Sequence, residues 1–326
     1  MKMQNSITDV REIKVGHYTD SEAATGCTVI LCEEGCSAGV DIRGSASATR
    51  HIDPLQSTSL TTKAHAILLS GGSAFGMDAA GGVMRYLEEH DYGFDTGVAK
   101  VPTVPAAIIF DLHIGSSKVR PGIEEGYKAC LAASGGPVAE GCVGAGTGAT
   151  VGNILGTDRM VKSGLGTAGQ MIGNVTIGVI IVVNAFGDIF DPATGKIIAG
   201  PRDIENGGFL DTIEIMKSLK QPLGPFFSNT VIGVVATDAD LDREQTSKLA
   251  QMTQTGLAKA IRPVHTMMDG DTMFAIATGK VEAIDINLLG AVAAELAATA
   301  ILRAVRQAES LASIPAIKDI NPGRQD

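Results

Sequence analysis

The chain has 326 residues, a formal net charge of −10 and a pI near 5.1, and 44% of its residues are hydrophobic against 19% charged. This acidic balance, without a dense Lys/Arg cluster, argues against a nucleic-acid-binding protein, which should show a basic face. No stretch reaches about 18 uninterrupted apolar residues, so no membrane span is expected.

The N-terminal region lacks the apolar core of a signal peptide, which predicts a cytoplasmic protein. The longest apolar segment, residues 286–305, is rich in alanine and is broken by Glu295, so it is predicted to be a buried helix. Forty glycines and only 4% aromatic residues are typical of close-packed layers with tight turns. We expect a single domain over residues 1–326.

The predicted strands are apolar or β-branched segments bounded by Gly, Asp or Asn. They are residues 28–32, 38–43, 66–70, 174–184, 230–237 and 273–278. Residues 175–183 are apolar on both faces, as in a strand whose sheet is covered on both sides.

The predicted helices are residues 75–90, 241–262 and 285–310, the second with Asp240 as its N-cap. Strands in groups with long helices between them indicate stacked sheets covered by helices.

Two glycine-rich segments match known functional motifs only in part. Residues 144–149 match the loose dinucleotide pattern G-x-G-x-x-A but lack the strand before it and the helix after it. At residues 71–75, Phe75 replaces the last glycine of a nucleophile elbow, so Ser73 is either a weak nucleophile candidate or a helix cap. The six histidines and five cysteines lack zinc-site spacing, so no metal is expected.

The most informative segment is an apolar, β-branched run that opens with Asn229-Thr230. Cutting the bond between these residues would free an α-amine beside the Thr230 hydroxyl, so one residue would carry both nucleophile and base. Threonine is also simply a good strand residue, so this segment alone does not decide the function.

Several motifs occur together along nearly the whole chain. In chain order they are AILLSGGSAFGMDAA (66–80), a segment from VP (101–102) to FDL (110–112), GAGTGATVG (144–152), VNAFGD (183–188), NT (229–230), RPVHT (262–266) and DGDT (269–272). The combination resembles the self-processing L-aminopeptidase/D-esterase family, which includes β-peptidyl aminopeptidases and nylon-oligomer endo-hydrolases. Threonine at position 230 is similar to the nylon-oligomer branch.

The resemblance implies an α/β fold, a four-layer αββα sandwich like that of N-terminal-nucleophile hydrolases but with different connectivity. It implies autocleavage between Asn229 and Thr230 into an alpha chain, 1–229, and a beta chain, 230–326. No cofactor is implied, and relatives form homotetramers.

The resemblance also implies the roles of four catalytic residues. Thr230 would be the nucleophile and, through its freed α-amine with a pKa of about 7.7–8.0, the general base. Asn184 would donate a hydrogen bond to the oxyanion; its alternative is a strand-terminating turn residue. Asp269 and Asp271 would support catalysis if both face one site, and would otherwise form an ordinary turn.

Two predicted substrate-binding positions depart from the nylon-oligomer branch. Phe110 stands where a tyrosine is expected and cannot donate a hydrogen bond, and Asn153 stands where a lysine is expected and carries no charge. Lys162 is either a substitute cation or a solvated loop lysine. These departures leave self-cleavage intact but leave the substrate preference open.

The sequence therefore predicts a self-processing amide hydrolase that acts through an acyl-enzyme. Its substrate would be a short peptide with a free amino terminus, a β-peptide or a 6-aminohexanoate oligomer. Two alternatives remain, an acetyltransferase of the ornithine acetyltransferase type and an unprocessed small-molecule-binding relative.

Overall fold

A computed structural model describes residues 3–61, 63–220 and 229–320. These ranges contain sixteen strands and six α-helices. The strands are β1 Lys14–Asp20, β2 Thr25–Ile42, β3 Thr49–Arg50, β4 Lys63–Ser70, β5 Phe94–Asp95, β6 Lys100–Val101, β7 Ala106–Ile108, β8 Thr150–Val151, β9 Val161–Lys162, β10 Leu165–Ile172, β11 Val175–Asn184, β12 Asp188–Phe190, β13 Ile197–Ala199, β14 Thr230–Ala239, β15 Ile261–Arg262 and β16 Thr272–Val281. The helices are α1 Ala79–Glu89, α2 Ile123–Leu131, α3 Thr212–Ser218, α4 Arg243–Ala260, α5 Ile286–Gln307 and α6 Ile317–Ile320.

A nine-stranded sheet runs in the order β10-β11-β14-β16-β2-β4-β7-β3, with β1 paired beside β2. The 18-residue β2 changes its partners along its length: its first part pairs with β1 and β4, and its last part pairs with β16. The register with β4 shifts between Leu31 and Cys36. The prediction of two separate strands, 28–32 and 38–43, was wrong, because the irregularity between them shifts the register without ending the strand.

Three apolar cores separate four layers. The two halves of the nine-stranded sheet form the two inner layers, one with β11, β14 and β16 and the other with β2 and β4. The inter-sheet core lies between these halves and includes Ile180, Ile232 and Ile67. An outer core packs α4 and α5 on the other face of β11 and β14. A second outer core packs α1 and α2 on β1, β2 and β4. The predicted four-layer αββα sandwich is confirmed.

The two central strands are buried on both faces because alternate residues enter different cores. In β11, Val179 and Ile181 belong to the outer core with α4 and α5, whereas Ile180 and Val182 belong to the inter-sheet core. The same alternation in β14 points residues 230, 232 and 234 toward the inter-sheet side. The fully apolar pattern of residues 175–183 therefore reflects two covered faces, as predicted.

The helices begin close to their predicted positions. Helix α4 is capped by Asp242, whose side chain accepts from the Gln245 amide and whose own amide donates to Gln245, so the predicted cap at Asp240 was wrong by two residues. The predicted helix 75–90 opens as a 3-10 turn, Ser73–Asp78, before α1.

By length and composition, α5 is the one helix in the described ranges that could cross a membrane. In the fold, 61% of its apolar window is buried, and it packs against α4, β10 and β11. This is the burial expected of a core helix, in agreement with the sequence.

The contact between α5 and β10 depends on a missing side chain. A Cβ at Gly166 would lie 2.1 Å from the Ala300 carbonyl oxygen and 2.7 Å from the Ala304 nitrogen. We expect Gly166→Ala to lower the free energy of unfolding by about 1–3 kcal/mol through overpacking, measured by urea denaturation.

The matched control is Gly135→Ala, because the nearest atom to a Cβ at this exposed position is 3.8 Å away. Its unfolding midpoint should stay close to that of the wild type. Equal midpoints for the two variants would contradict the close packing of α5 on β10.

Candidate active site

The residue before β14 is held by the segment before β16. The Asn229 N–H donates to the Met268 carbonyl oxygen at 3.0 Å, and the Gly270 N–H donates to the Asn229 carbonyl oxygen at 2.8 Å. Asn229 and Thr230 are 1% and 2% exposed. The peptide bond between them is therefore fixed in a buried position by its neighbours.

The Thr230 hydroxyl lies against the carbonyl group of its own preceding residue. Thr230 Oγ1 donates to the Asn229 carbonyl oxygen at 2.5 Å. The same oxygen also accepts from the Gly270 N–H, which is the donor that remains for the oxyanion once Thr230 Oγ1 attacks this carbonyl. Fixed donors at that position are the arrangement that stabilises a tetrahedral intermediate.

Gly270 is a further candidate site residue, which the sequence pattern indicates only as part of a turn. A Cβ at this position would lie 2.9 Å from Thr230 Oγ1 and 2.7 Å from the Ala46 carbonyl oxygen. Its contribution is a backbone N–H, which every residue except proline possesses, so no side-chain pattern could reveal it.

Asn184 is the antiparallel partner of Thr230 in the ladder between β11 and β14. Its Oδ1 accepts from the Thr150 N–H at 3.0 Å, and its Nδ2 donates to the Phe110 carbonyl oxygen at 3.2 Å. These bonds fix the orientation of a fully buried amide. Since the amide nitrogen carries two hydrogens, the bond to Phe110 leaves one for another acceptor.

The carboxylates of Asp269 and Asp271 are both buried just before β16, next to the start of β14. Asp271 Oδ1 accepts from the Val231 N–H at 2.8 Å, directly after the proposed nucleophile. Asp269 Oδ2 accepts from the Thr266 N–H and hydroxyl at 3.0 and 2.7 Å. In the described structure, neither carboxylate is hydrogen-bonded to the Thr230 hydroxyl, so both position the backbone around it.

Burial, followed by the negative charge of Asp271, raises the pKa of Asp269 to about 6. The Asp271 carboxylate is close enough to Asp269 for its charge to disfavour the ionised form of Asp269. The pair therefore forms an acidic cluster that can take up a proton near neutral pH.

His265 belongs to the same cluster and was not identified from the sequence. Its Nδ1 lies 2.8 Å from Asp271 Oδ2, and its backbone N–H donates to the same oxygen at 3.1 Å. A backbone φ of +57° at His265 folds the chain back toward Asp271. The spacing of histidines along the sequence can indicate a metal site, but it does not indicate this contact between a histidine and an aspartate.

Asn153 lies at the site, beside the residue that precedes Thr230. Its Nδ2 donates to Asn229 Oδ1 at 2.5 Å, and its Oδ1 accepts from the Thr150 hydroxyl at 3.1 Å. Phe110 contributes its backbone carbonyl to Asn184, and its ring stacks on His113 with 5.8 Å between the ring centroids.

Lys162 is fully buried in β9, so the interpretation as a solvated loop lysine was wrong. Its Nζ donates to the carbonyl oxygens of Ala149 and Ser163 at 2.6 and 2.9 Å, and burial lowers its pKa. The Ala149 carbonyl and the Thr150 N–H belong to one peptide group. Lys162 is thereby linked through that group to Asn184.

The weaker candidates lie in other surroundings. Ser73 opens a 3-10 turn with φ +55°, and within the described residues its hydroxyl neither caps that turn nor contacts a base. The glycine segment at 144–149 forms a 3-10 turn, Gly144–Gly146, that leads into β8 and not into a helix.

Asp188, in the NAFGD motif, is a buried carboxyl group whose raised pKa can be tested. It accepts from the Thr212 N–H at 2.7 Å and from the Thr212 hydroxyl at 2.5 Å, and burial raises its pKa from 3.8 to about 7. The folded state thus favours the protonated carboxyl. Its contribution to stability is present below about pH 4 and is lost as the pH rises through about 7.

We therefore expect Asp188→Asn to become more stable relative to the wild type as the pH rises from 4.5 to 8. The change in the difference should be roughly 2–4 kcal/mol, measured by urea unfolding at both pH values. Asp269 titrates in both proteins, so its contribution cancels in the comparison. A difference that does not change with pH would contradict the raised pKa.

The chain is similar over most of its length to known peptidases and amide hydrolases. The model of peptidase family S58 matches residues 5–316. An uncharacterized aminopeptidase of Mycobacterium tuberculosis is 42% identical, with 98% of each chain covered. A 6-aminohexanoate-oligomer endohydrolase of Kocuria sp. is 30% identical, with 91% of this chain and 85% of that protein covered.

Two solved structures share the fold. A beta-aminopeptidase of Burkholderia sp. superimposes with a TM-score of 0.71 at 22% identity, covering 99% of this chain and 96% of that one. The L-aminopeptidase D-Ala-esterase/amidase of Ochrobactrum anthropi, a variant of the N-terminal-nucleophile hydrolase fold, has a TM-score of 0.71 at 19% identity, covering 94% and 87%. The chain belongs to peptidase family S58 and is a hydrolase of amide bonds.

Proposed function

We propose that this hydrolase cleaves its own Asn229–Thr230 bond and then uses Thr230 as an N-terminal nucleophile on short peptides or amide oligomers. The observation that carries the proposal is the contact of the Thr230 hydroxyl with the Asn229 carbonyl oxygen, which also accepts the Gly270 N–H. Nucleophile, target carbonyl and oxyanion donor are together in one buried place.

This arrangement supports self-cleavage by the following steps. Thr230 Oγ1 attacks the Asn229 carbonyl carbon, and the Gly270 N–H stabilises the negative oxygen. Collapse of the intermediate breaks the C–N bond and leaves Asn229 as an ester on Oγ1. The proton released by the Thr230 hydroxyl passes to the departing amine of Thr230. Water hydrolyses the ester, giving chains of 229 and 97 residues.

Turnover would repeat the same chemistry on an external amide. The freed α-amine of Thr230 takes the hydroxyl proton, since its pKa near about 7.7–8.0 leaves a neutral fraction at neutral pH. Oγ1 then forms an acyl-enzyme, and water releases the acid. The second Nδ2 hydrogen of Asn184 can donate to the developing oxyanion from the neighbouring strand.

The relatives support amide substrates, since one is an aminopeptidase and another an endohydrolase of 6-aminohexanoate oligomers. The family match favours the hydrolase over the acetyltransferase and the non-catalytic relative. The homotetramer and the cytoplasmic location stay predictions.

Variants of Thr230 test self-cleavage. Thr230→Val keeps the β-branched shape but has no hydroxyl, so it should remain a single chain. Thr230→Ser keeps the hydroxyl and should still divide after Asn229. Denaturing mass spectrometry of each purified protein distinguishes the two outcomes. A Val variant that divides at the wild-type position would show that the Thr230 hydroxyl is not the nucleophile.

Asn184 tests oxyanion stabilisation. We expect Asn184→Ala to lower kcat by about 10²–10³ with little change in KM, because one donor to the oxyanion is lost. Steady-state hydrolysis of an aminoacyl anilide gives both constants.

The matched control is Asn174→Ala, an exposed asparagine just before the other end of β11. It should retain the wild-type kcat. An Asn184 variant that loses only substrate affinity would contradict a role in the transition state.

A further inference from the structure

The self-cleavage intermediate has the same chemical form as an acyl-enzyme. In both, an acyl carbon is esterified to Thr230 Oγ1 beside a free Thr230 α-amine. Asn229 is therefore the first acyl residue that this site carries, so the contacts of Asn229 in the uncut chain indicate where a substrate's acyl residue would lie. This inference rests on the proposed function.

Three of the four polar groups of Asn229 are bound by the protein, and its side-chain Nδ2 is buried without a partner among the described residues. Its N–H donates to the Met268 carbonyl oxygen, its carbonyl accepts from the Gly270 N–H, and its side-chain Oδ1 accepts from Asn153 Nδ2. Asn229 is 1% exposed and Asn153 is 4% exposed, so these hydrogen bonds compete little with bulk water. We call this position the Asn229 seat.

The side-chain end of the seat has a defined polarity. The Thr150 hydroxyl lies 3.1 Å from Asn153 Oδ1 and 3.4 Å from Asn184 Oδ1, and donation over the shorter distance directs the Nδ2 donor of Asn153 toward Asn229. The nearby buried amino group of Lys162 donates to two backbone carbonyl oxygens. The seat therefore offers an uncharged donor to the side chain it holds.

This polarity discriminates among side chains. A leucine would leave the buried Asn153 donor unpaired, which should lower the rate roughly 10–100-fold. An aspartate would bring a negative charge next to the segment that carries Asp269 and Asp271. A lysine would present its own donors to a donor.

We propose that, once self-cleavage has separated Asn229 from Thr230 and this new chain end has left its position, the Asn229 seat binds the acyl residue of the substrate and selects a carboxamide side chain through Asn153. The α-amine of that residue takes the place of the Asn229 N–H on the Met268 carbonyl. The favoured substrates are then amides whose acyl residue is asparagine or glutamine.

The test compares p-nitroanilides of asparagine, leucine, aspartate and lysine on the processed enzyme. The expected kcat/KM for the asparagine compound is about 10–100-fold above that for the leucine compound of similar size. In Asn153→Ala this ratio should fall toward one. In the control Asn174→Ala, which changes an exposed asparagine, the ratio should match the wild type.

The rate of self-cleavage gives a second, independent test of the Asn229 seat. The Asn229→Leu precursor should cleave about 10–100-fold more slowly than the wild type, and this difference should shrink when Asn153 is also alanine. The rates come from densitometry of precursor and product bands over time.

The outcomes separate the subsite from the proposed function. A protein that never divides would overturn both. A processed enzyme that hydrolyses none of the four anilides would overturn the subsite alone, as would a ratio near one or a ratio that Asn153→Ala leaves unchanged.

Discussion

The hydrogen bonds that hold Asn229 between Met268 and Gly270 are the constraint on which the site depends. They form a parallel bridge between Asn229 and Asp269, three residues before the ladder of β14 with β16 begins, and bring the carbonyl before Thr230 to a fixed donor. The register of β14 is set by its two covered faces, because a shift of one residue would exchange the side chains of two cores. The packing of four layers thus determines where the Thr230 hydroxyl lies.

The site concentrates groups that are unfavourable to bury. Asp188 and Asp269 have raised pKa values because burial disfavours their charged forms, and Lys162 has a lowered one for the same reason. Each is surrounded by hydrogen bonds that fix its position. Their burial costs stability near neutral pH, and their hydrogen bonds fix the positions of Thr212, Thr266 and the Ala149 carbonyl.

Much of this structure was predictable from residues. The long apolar runs that end in Asn184 and begin at Thr230 indicated central strands, and antiparallel pairing makes these two residues partners. The change of partners along β2 was not predictable, because an irregularity inside a strand resembles a gap between two strands. The donor at Gly270 and the contact of His265 with Asp271 depend on backbone conformation, which side-chain patterns do not encode.

The intact mass of the purified wild-type protein under denaturing conditions tests the central claim most directly. Two species are expected, one ending at Asn229 and one beginning at Thr230. A single full-length mass that persists during incubation, in a protein that hydrolyses amides, would contradict it, because the nucleophile would then lack its free α-amine.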